Sequence, residues 1–320
     1  MIDSGGFKMT NTSYLQGAFI LTLTNLITGI LAFIYRVVLS KAIGAEGIGV
    51  YQLILPLYYL FITLVSGGLV TSISKLIAEN RVKYYYPNIY KIIKVSTALS
   101  GVLSIVFCIA LSTNGNFLAN YLLKDGRTTY SIIVISPAII FIALSSVFKG
   151  YFYGTEQISI PAIIDIGEKL IRLVFLIFST RFLLDYGIEY VCAGAMAAMV
   201  CGEILSLLLL YLFYKKKKKK FIYSNYTDSS LSIMKNILIT FIPLSISASI
   251  NNIMDMVDAV LIPSQLGKAG LSKANSLSMF GILTGMILPL VYFPMIIIGS
   301  LSTTLIPSIA YSHKSNNHIA

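Results

Sequence analysis

Four ionisable residues, Asp165, Glu168, Lys169 and Arg172, stand in the middle of the apolar stretch ISIPAIIDIGEKLIRLVFLIF at 158–178. Their spacing is i, i+3, i+4 and i+7. On a helix all four share one face, two acidic and two basic, formally neutral together. A charge in hydrocarbon costs at least a few kcal/mol, so such residues face a protein interior or a watery cavity. Two readings follow. Glu168 and Arg172 can lock a helix bundle as an ion pair, or the stripe can face a substrate. A head group that carries phosphates needs fixed positive charge along a polar path, and Arg172, Lys169 and Arg36 are able to supply it.

Other ionisable residues fall in apolar runs too. Asp255 and Asp258 lie one helical turn apart, with Asn251 and Asn252 extending their polarity. Two acids this close repel in low dielectric, which makes them candidates for cation or proton coupling, against the plainer reading of solvation near a membrane surface. Glu203 has no local partner and can answer Arg172 or Lys169 across a bundle. Arg36, near the end of the first apolar run, can snorkel to the interface. There is no Gly-x-x-x-x-Gly-Lys-Ser/Thr loop, no Ser-His-Asp set and no His-Glu-x-x-His, so neither enzyme nor cofactor chemistry is expected. Cys108, Cys192 and Cys201 lack metal-ligand spacing and read as small buried hydrophobes.

The elements that position these residues follow from composition. The 320 residues are 56% hydrophobic and 12% charged, with a mean hydropathy of +0.82. A soluble domain carries about twice that charged fraction, so the chain reads as an all-α polytopic membrane protein. Eight apolar runs are long enough to cross a bilayer: 14–38, 48–72, 91–112, 130–149, 159–180, 188–213, 234–262 and 275–301. Their length excludes barrel strands. The first run has no small-residue cleavage site and reads as a retained span. Tyr takes the interfacial place of the absent Trp, as in Tyr84-Tyr85-Tyr86.

The net charge of +11 is dominated by six consecutive lysines at 215–220. Beside a span, such a run implies topology and anionic lipid rather than nucleic acid. Lys and Arg are enriched on the connections holding Lys8, Lys75, Arg81, Lys83, Lys149, the lysine run and Lys314, which predicts a plasma-membrane protein with both termini in the cytoplasm. A short internal echo appears as well. An apolar run followed by GAEG at 44–47 matches another followed by GKAG at 267–270. It suggests a six-helix unit over 1–213, a Lys-rich linker over 214–233, and the first two helices of a second, incomplete unit over 234–320.

Several segments together resemble the stage V sporulation protein B family, in the polysaccharide transporter branch of the multidrug/oligosaccharidyl-lipid/polysaccharide exporter superfamily. They are NLITGILAFIYRVVLSKAIGAEGIGVYQLILPLY (25–58), SGGLVTSISKLIAE (66–79), ISPAIIFIALSSVFKGYFYG (135–154), YGIEYVCAGAMAAMVCGEILSLL (186–208) and SLSTTLIPSIAYS (300–312). The resemblance implies two six-helix lobes around a central cavity, a link to spore cortex formation, and similarity to flippases of lipid-linked peptidoglycan precursors. It singles out Arg36, Glu168, Arg172 and Asp258, and leaves Asp165 and Lys169 as local variation. Gly29 stands where relatives carry an Arg. By the same resemblance the chain stops about two spans into its second lobe, as if truncated at its C-terminal end.

The expected function is a flippase of a lipid-linked oligosaccharide or peptidoglycan precursor working by alternating access, with cell-wall synthesis proteins as possible partners. The alternatives are a cation-coupled exporter of small molecules using Asp255 and Asp258, and an inactive or scaffolding product.

Overall fold

In hydrocarbon a chain must satisfy its own backbone hydrogen bonds, so long apolar runs fold as helices. The computed structural model describes residues 11–217 and 227–295, with side chains from residue 19 onward. Lys8, Lys218, Lys219, Lys220, the last positions of the eighth expected span and the whole tail with His313 and His318 lie outside the described residues.

The helices are α1 (Asn11–Ser66), α2 (Leu69–Val82), α3 (Tyr86–Phe117), α4 (Thr129–Ile135), α5 (Ala138–Gly154), α6 (Ser159–Leu183), α7 (Ile188–Lys217), α8 (Ser230–Lys268) and α9 (Lys273–Gly281). A π-helical turn over Ile282–Ile287 carries α9 onward to 295. No strand occurs among the described residues.

The breaks have local causes. α1 changes direction at Gly44, whose φ of 66° and ψ of −172° suit only glycine. The expected GAEG turn thus narrows to one residue, and helix resumes at once. Ser229 and Ser272 cap α8 and α9 by accepting from the backbone N–H of Ser232 and Asn275. The fourth expected span divides at Ser136-Pro137 into α4 and α5.

Among the described residues six helical runs are long and apolar enough to cross a membrane: Phe19–Val82, Tyr86–Leu122, Gly126–Gly154, Ile188–Lys217, Ser230–Lys268 and Lys273–Met295. The expected eight does not emerge as such. Phe19–Val82 holds the first two expected spans on either side of Gly44. α6 falls outside the six because four ionisable residues interrupt its apolar sequence.

α6 packs mainly on α7 and along α1, α2 on α5, and α8 and α9 on α1. Two buried clusters result. One gathers Leu39, Ile48, Leu53, Ile54, Ala195 and Met196, where both halves of α1 meet α7. The other gathers Ile73, Ile77, Ile89, Phe152 and Ile237 from α2, α3, α5 and α8. α9 reaches α1 backbone to backbone. A side chain at Gly49 would strike the carbonyl of Leu277, and one at Gly281 would strike that of Ala45.

Candidate functional site

The α6 stripe turns inward and meets charges from two neighbours. Glu168 is 3% exposed, and its Oε1 accepts from both Lys169 Nζ (2.7 Å) and Arg172 Nη2 (2.6 Å). The same Arg172 nitrogen reaches Glu203 Oε1 on α7 at 3.1 Å. Lys149 on α5 bonds Asp165 Oδ1 at 2.7 Å. Three cations and three carboxylates from α5, α6 and α7 thus form two adjoining networks inside an apolar bundle. α7 comes this close to α6 because Gly202 faces Glu168. A methyl group there would lie 3.2 Å from the Glu168 Cγ and backbone oxygen.

Beside the charges lies a cavity of about 220 Å³, lined by Lys149, Asp165, Glu168, Lys169 and Glu203 with Thr28, Ile142, Ser145 and Ser146. Arg172 stands behind this wall rather than in it. Buried polar atoms are normally hydrogen-bonded, yet the Ser145 hydroxyl and Arg172 Nε, both buried, have no partner in the structure. The cavity is therefore polar and charged on its walls, with the unpaired Ser145 hydroxyl in its lining.

The structure brings together Glu168, Lys169, Arg172 and Glu203. Asp165, set aside by the family resemblance as local variation, is a full member through Lys149. Lys149 itself, read from sequence as a connection residue, lies inside α5 one turn before its end. The signal was its place at the close of an apolar run. Arg36 is half-buried on α1, with no ion pair to the cluster. Asp255 and Asp258 are exposed on α8, away from the cavity lining. Among the described residues no three His, Cys, Asp or Glu side chains are placed to hold a metal ion.

A second charge network closes the turn between α3 and α4. Asp125 is 2% exposed and accepts from Arg127 Nε (3.0 Å), Nη2 (2.8 Å) and backbone N–H (3.1 Å). Arg127 continues to Glu46 Oε1 at 2.7 Å. Lys273, at the start of α9, donates to the carbonyl of Lys124 at 3.0 Å and lies 3.7 Å from Asp125. Burial pushes the Asp125 carboxyl up, but the Arg127 hydrogen bonds outweigh it and hold the group below the usual carboxylate range.

Residues 14–313 match the family model described as polysaccharide biosynthesis protein. The chain is 33% identical over 309 residues to the stage V sporulation protein B of Bacillus subtilis (strain 168), covering 94% of this chain and 59% of that one. It is 25% identical over 325 residues to the lipid II flippase MurJ of the same organism, covering 96% of this chain and 60% of that one. The chain thus spans about three fifths of the length of these curated relatives. Among solved structures it is similar to a MOP superfamily transporter from Pyrococcus furiosus, with a TM-score of 0.60, 17% identity, and coverage of 93% and 68%. It is also similar to an inward-facing multidrug resistance MATE family transporter of that superfamily, with a TM-score of 0.58, 19% identity, and coverage of 91% and 67%. These likenesses extend the helical order of the bundle to known folds, and the match over 14–313 settles its kinship: the chain belongs to the polysaccharide biosynthesis protein family.

Proposed function

We propose that this chain acts in a flippase for a lipid-linked oligosaccharide or peptidoglycan precursor, linked to sporulation and spore cortex synthesis. The observation that carries the reading is the charged cavity itself, walled by Lys149 and Lys169 with Arg172 behind the wall, each cation held by carboxylates within an apolar bundle. A phosphate-bearing head group entering it exchanges one acceptor for another. Its oxygens replace Glu168 or Asp165 as partners of the lysines, and the displaced carboxylates turn to the unpaired Ser145 hydroxyl or to Arg172. Similarity to the stage V sporulation protein B and to the lipid II flippase supports this choice of substrate class.

In this reading, 1–213 is one six-helix lobe, 214–233, which takes in the end of α7 and the start of α8, is a cytoplasmic linker, and 234–320 belongs to a second lobe, with alternating access arising from their relative rocking. Both termini lie in the cytoplasm. The run at 215–220, of which Lys215, Lys216 and Lys217 end α7, meets anionic lipid there. Cell-wall synthesis proteins are the natural neighbours of such a flippase.

The test is translocation of a fluorescent lipid-linked precursor across vesicles containing the protein. Arg172→Ala is expected to abolish flipping while the protein stays membrane-inserted. Undiminished flipping by that variant overturns the site.

A second reading follows from the same wall. The cavity is lined by three carboxylates against two lysines, which favours a cation or proton as a coupling partner at Glu203. Glu203→Gln is then expected to remove the dependence of transport on an ion gradient.

A further inference from the structure

A groove of about 1140 Å³ runs between α3, the end of α7 and the start of α8, apart from the charged cavity. We propose that it holds one anionic membrane phospholipid, with the phosphate at Lys91 and Lys94 and the acyl chains along Ala98, Leu99 and Val102. The proposal stands on the groove alone and is independent of the flippase reading.

Charge and length choose the occupant. Lys91 and Lys94 lie one turn apart at one end of the groove, beside Tyr90 and Tyr214, residue types that sit at the level of lipid head groups. Lys91 donates to the backbone carbonyl of Asp228, which fixes its ammonium at the groove mouth. The carboxylate of Asp228 is turned to Asn88, whose Nδ2 donates to it at 2.6 Å. Lys94 is exposed beyond this contact. From Lys91 to Val102 the walls become apolar, and Ala98 leaves a gap on the α3 side. At 1.5 Å per residue this distance is about 16 Å, close to half of the roughly 30 Å hydrocarbon core. The groove is thus as deep as one leaflet, cationic where a phosphate sits and apolar where its chains run. Lys215, Lys216 and Lys217, close by in sequence to Tyr214, concentrate anionic lipid at that surface.

The experiment is native mass spectrometry of the detergent-purified full chain with equimolar phosphatidylglycerol and phosphatidylcholine, paired with photoreactive phosphatidylglycerol. The wild type is expected to retain phosphatidylglycerol with a preference of roughly ten-fold or more, and to be labelled within 90–102 and 230–234. The double variant Lys91→Gln, Lys94→Gln should fall to near parity. Lys94→Glu, at an exposed position without the Asp228 contact, gives the same loss with the fold undisturbed. Ala98→Trp fills the apolar end and should reduce retention of the lipid without changing any charge. Equal retention of the two lipids by the wild type overturns the proposal. So does a preference that survives Lys94→Glu, or labelling confined to the lysine run.

Discussion

The cluster on α5, α6 and α7 and the network at the Asp125 turn contain the same chemical groups in different settings. At the turn, Asp125 gathers three hydrogen bonds from one arginine, and the network is finished by a backbone carbonyl and an exposed lysine. It borders a separate pocket of about 290 Å³ that includes Lys124, Asp125 and Lys273. In the bundle, two cations converge on a single oxygen of Glu168, a cavity opens beside them, and Arg172 Nε is unsatisfied. The turn network leaves no buried Asp125 or Arg127 atom unpaired and ties the α3–α4 turn to Glu46 of α1 and Lys273 of α9, as expected of groups that fasten elements together. The bundle network spans three helices and leaves Arg172 Nε unpaired, which is what the proposed exchange of partners calls for.

Substitutions test that difference, and the largest effect belongs to the bundle. Glu168→Ala leaves Lys169 and Arg172 without their shared oxygen. Removing one partner of a buried ion pair costs about 3–5 kcal/mol, so a melt of the purified protein should show a drop of several degrees. A melting temperature equal to the wild type would place Glu168 in water.

Asp125→Asn comes next. It takes away a charge-assisted acceptor for which about 1.5–3 kcal/mol is typical. This variant also tests pH dependence. The folded-state pKa of Asp125 lies below its unfolded value of about 3.9. Its contribution is therefore complete above that value and disappears as pH falls through the folded pKa. Below about pH 4 the variant and wild type should converge in stability, and curves that remain parallel into acid would remove Asp125 from the account.

Lys149→Met and Asp165→Leu sharpen the contrast further. Each single change strands a half-buried charge, whereas the double change removes both. The double variant should be more stable than the sum of the singles by about 1 kcal/mol or more, measured as a double-mutant cycle. The smallest effect is expected from Lys273→Gln. Its side chain is 65% exposed and 3.7 Å from Asp125. Exposed pairs of this kind are worth about 0–1 kcal/mol, and a larger loss would show that the turn network also depends on α9.

Much of the bundle site can be read along the chain, because its core is periodic. Asp165, Glu168, Lys169 and Arg172 share a face by spacing alone, and charge near an apolar run also marks Arg36, which has no ion pair to the cluster. Glu203 is recognisable as a charge without a local partner. Lys149 is harder to read, since Phe-Lys-Gly-Tyr reads as the end of a span where the helix in fact continues to Gly154. Its partner is 16 positions away and that of Arg172 is 31 away. Pairing over such distances depends on which helices pack together, and hydropathy carries no record of that. The same limit explains the aspartates of α8. One turn apart, they form an obvious pair, but only packing shows that their face is exposed on the described bundle. At Gly44 the sequence marks a turn, and only the backbone shows that one residue completes it.

The seam between α1 and α9 has a consequence for the entropy of any motion there. Where Gly49 meets Leu277 and Gly281 meets Ala45, main chain rests on main chain. Glycine has no rotamers to lose, so parting at these points frees no side chain of Gly49 or Gly281 and rejoining freezes none. Leu277 and Phe280 beside them are buried, so the ordering cost at the seam falls on such neighbours and not on the glycines.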